Sequence, residues 1–276
     1  MTLAVGFFDG VHLGHRKILS GADVALTFRN HPLSLLAPER APRLIMTAEE
    51  RVAAIGACGV GKVVAIDFTR EVAGTEPADF VARFLLPLGG ERPKVRCGAN
   101  WRFGRGGAGD AGFLRDRGIE VEVAPYAEFR GERISSSRIR AALESGDLEG
   151  AAAMLGRSFA VSGEVFSGKG EGAGLGFPTL NVRPTALSLR IPRGAYAAAL
   201  DGAKAVANFG VAPTFGADAW PEPVLEVHCL SRTVSLPPPG SAARVELRRF
   251  LRPERKFASA GELRSQIARD CEEALA

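Results

Sequence analysis

Two histidines three positions apart, His12 and His15, form the most informative feature of this chain. The apolar run at 3–8 before them predicts a buried strand, and the residues after them favour a helix. Backbone N–H groups at the start of a helix attract anions, and imidazoles beside them could neutralise a nucleotide triphosphate as its bonds break. This pattern predicts a phosphate-binding turn with catalytic histidines, in preference to a pair of capping or packed histidines. The rest of the turn would be built by Gly6, Asp9 and Gly10.

A second group of polar residues comes later in the first half of the chain: Asn100, and the serine-rich segment with Ser136, Ser137 and Arg140. In a doubly wound sheet the loops at the carboxyl ends of the strands converge on one crevice, so these residues should meet the histidine turn. Asn100 would orient a substrate without charge, the serines would offer hydroxyl and N–H groups to phosphate, and Arg140 would bind phosphate through two donors. Plain N-capping is the alternative interpretation of the serines.

The bulk composition limits the class of protein. The 276 residues suffice for one large or two ordinary domains, and 46% hydrophobic with 24% charged residues is typical of a soluble globular protein. A net charge of +4 without a run of Lys or Arg suits small anionic ligands and argues against nucleic acid as a partner. Four scattered cysteines without a C-x-x-C pair argue against a disulfide framework or a zinc site and favour the cytoplasm. We expect no signal peptide and no membrane span.

The elements that must position the histidine turn alternate between strands and helices as far as about residue 155. This alternation predicts an α/β, Rossmann-like domain with a parallel sheet covered on both faces. The expected strands after the first are Asp23–Phe28, Lys62–Phe68, Pro93–Gly98 and Ile119–Ala124. The expected helices start at the capping box of Thr47 and Glu50, at Pro77 (ending at Leu86), at Ser136 (ending at Glu144) and at Asp147 (ending near Gly156).

The pattern changes after Gly156, where short β-like runs are separated by Gly and Pro turns and no helix is expected before Ala260–Leu275. This predicts a small antiparallel β-barrel with a C-terminal helix. We therefore expect two domains, at residues 1–155 and 156–276. The expected barrel strands are Ala160–Phe166, Ala195–Leu200, Lys204–Phe209, Val224–Leu230 and Arg244–Phe250.

Eight segments in order along both halves resemble one family. GFFDGVHLGH (6–15), TFRNHP (27–32), CGANWRFG (97–104) and ISSSRIR (134–140) are similar to the adenylyltransferase module of bacterial bifunctional riboflavin kinase/FMN adenylyltransferases, the FAD synthetases. LGFPTLN (175–181), NFGVAPTF (208–215), LEVH (225–228) and RPERKF (252–257) resemble the riboflavin kinase module of the same enzymes. The resemblance implies a nucleotidyltransferase domain followed by a riboflavin kinase domain, which together convert riboflavin to FMN and FMN to FAD with ATP and Mg²⁺.

The resemblance also implies roles for residues of the second half. Glu226 matches the position of the base that accepts a proton from riboflavin, and Thr179 and Asn181 would be oxygen ligands of Mg²⁺. Without the resemblance, Thr179 and Asn181 read as a turn beside a proline, and Glu226 reads as a solvent-facing strand carboxylate. The remaining residues expected to bind substrates here are Gly176, Pro178, Asn208 and Arg252. Lys169 could supply the charge of an arginine that the family has where this chain has Ala173.

The first crossover, Arg16–Ala22, is shorter than is usual in the family, which keeps other functions open. One alternative is a riboflavin kinase with a degenerate adenylyltransferase half, and another is a non-catalytic regulator that binds flavin or nucleotide. A relative of the tRNA synthetases that uses H-x-G-H is a third, although the chain lacks a basic surface for tRNA. The expected partners are riboflavin, FMN and ATP, without nucleic acid or membrane. Homo-oligomerisation is left open.

Overall fold

In the computed structural model the chain is described at residues 1–168, 176–185, 190–210, 223–231 and 235–275. It divides into two compact units, Met1–Arg138 and Ile139–Ala276. This division lies earlier than the domain boundary expected at 155/156, because the helix Leu148–Leu155 contacts strands of the second unit. None of the described helices is long and apolar enough to cross a membrane.

The first unit is built on a sheet of five parallel strands in the order β3-β2-β1-β4-β5. Strand β1 is central. The chain first adds β2 and β3 on one side of β1 and then β4 and β5 on the other. The carboxyl ends of β1 and β4 therefore border the crevice where such sheets bind ligands. The strands are β1 (Thr2–Val5), β2 (Val24–Phe28), β3 (Lys62–Ile66), β4 (Lys94–Gly98) and β5 (Glu120–Ala124).

Helices cover both faces of this sheet, as the alternating sequence predicts. The capping box is present: Thr47 accepts a hydrogen bond from the backbone of Glu50 and the Glu50 side chain accepts one in return. The helix expected at Pro77 is π-helical over Val81–Leu85 and ends at Gly89, three residues later than expected. The helices are α1 (Leu13–Leu19), α2 (Pro32–Leu36), α3 (Ala48–Gly56), α4 (Arg70–Gly74), α5 (Pro77–Phe80), α6 (Leu86–Gly89), α7 (Ala111–Arg115) and α8 (Ser136–Ser145). A two-stranded ribbon, β6 (Glu128–Phe129) and β7 (Glu132–Arg133), precedes α8.

Successive residues of β1 pack into different cores, because strand side chains alternate between the two faces of a sheet. Leu3 and Val5 belong to a cluster that includes Phe80 and Leu85. Ala4 belongs to a second cluster on the other face, which contains residues of α1 and α3. The central strand is therefore completely buried beyond its first residue.

The second unit contains a closed antiparallel barrel in the order β10-β11-β12-β9-β8-β13. The predicted barrel and C-terminal helix are confirmed, with one strand, β9, that the apolar runs of the sequence did not reveal. The helix α9 (Leu148–Leu155) is capped by Asp147 as expected, and α10 (Ala260–Leu275) ends the described chain. The strands are β8 (Phe159–Phe166), β9 (Leu180–Pro184), β10 (Gly194–Leu200), β11 (Ala203–Gly210), β12 (Val224–Cys229) and β13 (Ala242–Pro253).

Candidate active sites

The turn after β1 has a strained backbone. Phe8 and Val11 have φ angles of 58° and 42°, in the left-handed region that non-glycine residues rarely adopt, and Gly10 has 82°. The apolar run predicts a strand as far as Phe8, but this strained turn ends the strand at Val5. The Val11 amide donates to the Phe8 carbonyl at 3.0 Å, which closes the turn immediately before the histidines.

The histidine pair stands at the start of α1. His12 is the N-cap: its Nδ1 accepts a hydrogen bond from the His15 amide at 3.2 Å, so its ring proton lies on Nε2. The two rings stack with centroids 3.6 Å apart and an angle of 17° between their planes. A Cβ atom at Gly14 would come within 3.0 Å of the His12 ring, so the glycine between the histidines leaves room for this stack. His12 is thus a helix cap that uses one of its two ring nitrogens, Nδ1, for that purpose.

Burial lowers the pKa of His15 well below 6.5, and the neighbouring His12 and Arg133 lower it further. The Nδ1 atom of His15 is buried and has no hydrogen-bond partner within the described part of the chain. His15 is therefore a neutral imidazole at physiological pH, with one ring nitrogen that no described group satisfies.

A cavity of about 630 Å³ opens beside the histidine pair. It brings together Gly6, His12, His15 and Asn100, four of the residues predicted from the sequence to form this site. Its other walls come from the carboxyl ends of the neighbouring strands and the loops that follow them. These include Phe7, Phe28, Trp101, Arg102, Tyr126, Arg133 and Ile134.

Asp9 and Ser136 lie behind this cavity. The Asp9 side chain is only 2% exposed and accepts the Ile45 amide at 3.1 Å, while the Asp9 carbonyl accepts the Ser136 hydroxyl at 2.9 Å. The cap of α8 is Ser135, whose hydroxyl accepts the Arg138 amide, so the expectation that Ser136 caps this helix is wrong. Ser136 instead ties α8 to the histidine turn.

Ser137 and Arg140 are two predicted residues that this cavity does not bring in. Ser137 is exposed on α8 and is not among the residues that line the cavity, and Arg140 lies on the part of α8 counted with the second unit.

Arg133 is a charged residue of the cavity that the sequence did not reveal as part of the site. Its guanidinium lies 3.9 Å from the centre of the Tyr126 ring, and its Nη2 approaches the side-chain oxygen of Asn100 at 3.4 Å. The available signal was its position directly before the ISSSRIR segment, as the last residue of β7. Arg133 therefore supplies a positive charge at the cavity.

In the barrel, three predicted residues form a row across adjacent strands. Glu226 on β12 stands opposite Asn181 on β9 and opposite Asn208 on β11. Directly opposed residues of antiparallel strands have their side chains on the same face, so the three point to one side. Their neighbours along the strands, such as Leu225 and Val227, are fully buried. The row therefore lies on the face of the barrel wall away from its apolar core.

The segment that carries Thr179 contacts strand β12, the strand that carries Glu226. The ring nitrogen Nδ1 of His228 lies 2.9 Å from the Pro178 carbonyl oxygen, and its ring meets the Phe177 ring edge-on at 5.2 Å. His228 stands two residues after Glu226, on the same face of β12. Gly176, which has a φ of 89°, turns the chain into this segment. The contact places Pro178 against His228, two residues from Glu226, and Gly176 and Thr179 lie within two residues of Pro178 along the chain.

Arg252 forms an ion pair with the C-terminal helix. Its Nε and Nη2 donate to the two carboxylate oxygens of Asp270 on α10 at 2.7–3.1 Å, and the Asp270 side chain is almost completely buried. The substrate contact expected of Arg252 stays a prediction. Lys169, Ala173, Leu175 and residues 211–215 of the recognised segments lie outside the described residues.

The donor set of the barrel suits Mg²⁺. Mg²⁺ prefers hard oxygen ligands and is commonly held by one or two carboxylates together with substrate phosphates. Thr179, Asn181 and Glu226 offer a hydroxyl, an amide and a carboxylate on neighbouring segments. Within the described residues no group of three His, Cys, Asp or Glu side chains is placed to hold a metal ion.

Each of the two units matches one known protein family. A family model described as FAD synthetase matches residues 1–138, and one described as riboflavin kinase matches residues 155–276. The fold and these matches define a nucleotidyltransferase joined to a riboflavin kinase barrel.

Relatives similar to this chain over almost its full length are bifunctional riboflavin kinase/FMN adenylyltransferases. The protein of Escherichia coli strain K12 is 34% identical and covers 98% of this chain and 90% of its own length. The protein of Bacillus subtilis strain 168 is 30% identical, and the match covers 99% of this chain and 91% of the Bacillus protein. This chain belongs to the bacterial bifunctional riboflavin kinase/FMN adenylyltransferase family. The resemblance inferred from its motifs is confirmed, and both enzymatic domains are present.

A solved structure has the same fold. A crystal structure described as that of a macrolide-efflux protein from Streptococcus pneumoniae aligns with a TM-score of 0.85 at 25% sequence identity. The alignment covers 99% of this chain and 93% of the chain in that structure.

Proposed function

We propose that the barrel unit phosphorylates riboflavin to FMN and that the sheet unit joins FMN to AMP to form FAD, each reaction using ATP. The observation that carries this proposal is the meeting of His12, His15 and Asn100 at one cavity of about 630 Å³, although Asn100 is far from the histidines in the sequence. The row of Asn181, Glu226 and Asn208 supports the kinase reaction in the same way. Membership of the family supports both.

In the kinase reaction a hydroxyl of riboflavin attacks the γ-phosphorus of ATP. The new P–O bond forms as the bond to ADP breaks, and Glu226 accepts the hydroxyl proton. Thr179 and Asn181 would hold Mg²⁺, which neutralises phosphate charge when it is bound. Asn208, on the other side of Glu226, would orient the flavin or the carboxylate.

In the adenylyl transfer a phosphate oxygen of FMN attacks the α-phosphorus of ATP, and pyrophosphate leaves. The nucleophile is already an anion, so the site needs donors and positive charge but no base. His12 would donate from Nε2 to the phosphates, neutral His15 would donate from one ring nitrogen, and Arg133 would add a positive charge. Asn100 would orient one substrate relative to the other.

We also place this enzyme in the cytoplasm, with riboflavin, FMN and ATP as its partners and Mg²⁺ as its metal. Support for this location comes from its four cysteines, which are all free thiols.

The test is to incubate the purified chain with riboflavin, ATP and Mg²⁺ and to separate the flavins by chromatography. Both FMN and FAD should accumulate, and neither should form when EDTA removes the metal. FMN without FAD would support the kinase-only alternative suggested by the short first crossover, in which α1 has seven residues. Binding of flavin without either product would support the regulator.

A further inference from the structure

Arg51, on α3, is the largest completely buried side chain of the described residues, with 0% of its surface exposed. Its Nη2 donates to two carbonyl oxygens at the end of β2, that of Phe28 at 2.6 Å and that of Arg29 at 2.8 Å. Burying a charge costs several kcal/mol unless partners compensate it, so a residue that only filled space here would be apolar. The mechanism proposed above does not use Arg51.

The compensation of this charge comes from the histidine turn. The guanidinium carbon lies 4.2 Å from the centre of the Phe7 ring, and the buried carboxylate of Asp9 attracts the guanidinium. Nε and Nη1 of Arg51 are buried and lack a hydrogen-bond partner within the described residues. Burial lowers the pKa of Arg51, and the nearby carboxylates of Asp9 and Glu49 oppose this effect.

Two of the four partners of Arg51, Phe7 and Phe28, are walls of the adenylyl-transfer cavity. Phe7 and Phe28 line it, and the Thr27 hydroxyl of β2 also donates to the Phe7 carbonyl at 3.0 Å. Arg51 thus joins the turn after β1 to the end of β2 from the side away from the cavity. Arg51 itself is not among the residues that line the cavity.

We propose that Arg51 is a positioning residue for adenylyl transfer, which holds Phe7 and the carboxyl end of β2 so that the histidine turn keeps its reactive geometry. This inference rests on the proposed function of the cavity. The guanidinium is suited to the task because its planar face meets an aromatic ring while its edge donates to two carbonyls. A lysine could retain the charge and a carbonyl contact, but it has no planar face. A methionine would retain only the volume.

The test compares Arg51→Lys and Arg51→Met with the unmodified full chain. FAD formation from FMN and ATP is measured for kcat and for both KM values, and FMN formation from riboflavin by the same sample is the internal standard. We expect Arg51→Met to lower kcat for FAD formation by about tenfold to a hundredfold, since small misplacements of reacting groups have costs of this size. Arg51→Lys should recover part of this loss. FMN formation should stay within about twofold, because the kinase residues lie in the other unit.

A matched control separates positioning from stability. Arg96→Met removes another arginine of the same unit, one that pairs with Glu122 at 2.7 Å and does not line the cavity. It should lower the melting temperature without changing kcat for FAD formation below that temperature. If Arg51→Met behaves like Arg96→Met, Arg51 is a packing residue and the proposal is overturned. If Arg51→Met fails to fold, the milder Arg51→Lys decides: an unchanged kcat for FAD formation overturns the proposal.

His12→Ala tests the underlying function separately. If it leaves FAD formation unchanged, the proposed site is wrong, whatever Arg51 does. If it abolishes FAD formation while both Arg51 variants retain full kcat, the site stands and the role of Arg51 is excluded.

Discussion

At the scale of single residues, the histidine pair combines structural and chemical tasks. His12 uses Nδ1 to cap α1, which fixes its proton on Nε2, and His15 is held neutral against it by burial. A capping role and a catalytic role are therefore compatible in one ring, because the two nitrogens act separately.

His12→Ala and His15→Ala should each lower kcat for FAD formation by about 10²–10³, the usual loss when one donor to a developing charge is removed. FMN formation by the same samples should be unaffected. The rates are measured with FMN and ATP for the first reaction and with riboflavin and ATP for the second. Equal FAD rates in mutant and unmodified protein would show that the histidines only cap and pack. A thermal melt of each variant distinguishes lost chemistry from lost folding.

The depressed pKa of His15 predicts how stability changes with pH. Below its ordinary pKa of 6.5 the unfolded chain gains a proton on His15 that the folded chain does not bind. The stability that neutral His15 contributes is therefore fully present above pH 6.5. It is lost as the pH falls from 6.5 towards the lower pKa that His15 has in the folded protein. Melting temperatures between about pH 7.5 and about pH 5.5 should fall less steeply in His15→Gln than in the unmodified protein. Parallel curves would contradict the neutral, buried state of His15.

Glu226→Gln should lower FMN formation by about 10²–10⁴, the typical contribution of a positioned general base, and should leave FAD formation from FMN near normal. The reason is that a riboflavin hydroxyl must lose a proton during attack, whereas the FMN phosphate is already an anion. Glu164→Gln is the matched control, since Glu164 is an exposed carboxylate on β8 of the same barrel. Undiminished FMN formation in Glu226→Gln would remove Glu226 from the mechanism.

At the scale of elements, several polar contacts fix the C-terminal helix α10 to the barrel, and one of them involves a buried charge. Asp270 accepts from Arg252 on β13 and also from the Gln266 amide at 2.7 Å. The Lys204 ammonium on β11 donates to the Leu275 carbonyl at the end of the helix, at 2.9 Å. The helix therefore depends on polar contacts to a degree that its sequence pattern does not reveal.

Asp270→Ala should lower the free energy of unfolding by about 3 kcal/mol, because it leaves the Arg252 guanidinium without its buried partner. Urea unfolding of the full chain, followed by circular dichroism, would measure the loss. Glu272→Gln, an exposed position two residues further along α10, should change stability by less than about 0.5 kcal/mol. Similar values for the two variants would mean that the ion pair contributes little.

At the scale of the whole molecule, each unit has its own core and its own candidate site. The helix α9 belongs with the barrel in its contacts, since it packs on β8 and β13. Its buried residues are Leu148, Gly150, Ala151, Met154 and Leu155.

A fragment of residues 146–276, which retains Asp147 and α9, should fold and phosphorylate riboflavin without forming FAD. A fragment of residues 157–276 follows the boundary expected from the sequence and should also do so, but with a lower melting temperature. The difference arises because the second fragment exposes the apolar surface that α9 covers. Thermal melts and FMN assays of both fragments would check this. Equal melting temperatures would show that α9 adds nothing to the barrel.

Much of this protein could be predicted from its sequence, because the informative patterns are local. Alternating apolar runs predicted four of the five parallel strands within two residues at each end, and the first at its start. The capping box at Thr47 and the cap at Asp147 are present as predicted, since a cap involves residues only three positions apart. The histidine turn was likewise recognisable from ten consecutive residues.

Only the tertiary structure could decide which distant groups meet. The row of Asn181, Glu226 and Asn208 depends on strand register, which is set by packing along whole strands. Arg51 contacts the Phe7 ring and the Phe28 carbonyl, and Arg133 approaches Asn100, in each case more than twenty residues away in the sequence. Arg252 pairs with Asp270 on the C-terminal helix, a contact that the sequence did not reveal. The sequence therefore determined the elements, the family and the kind of chemistry, whereas burial and long-range contacts determined which charged side chains support the fold and which face a substrate. Desolvation and pairing energies depend on the complete surroundings of a group, and no short stretch of sequence contains them.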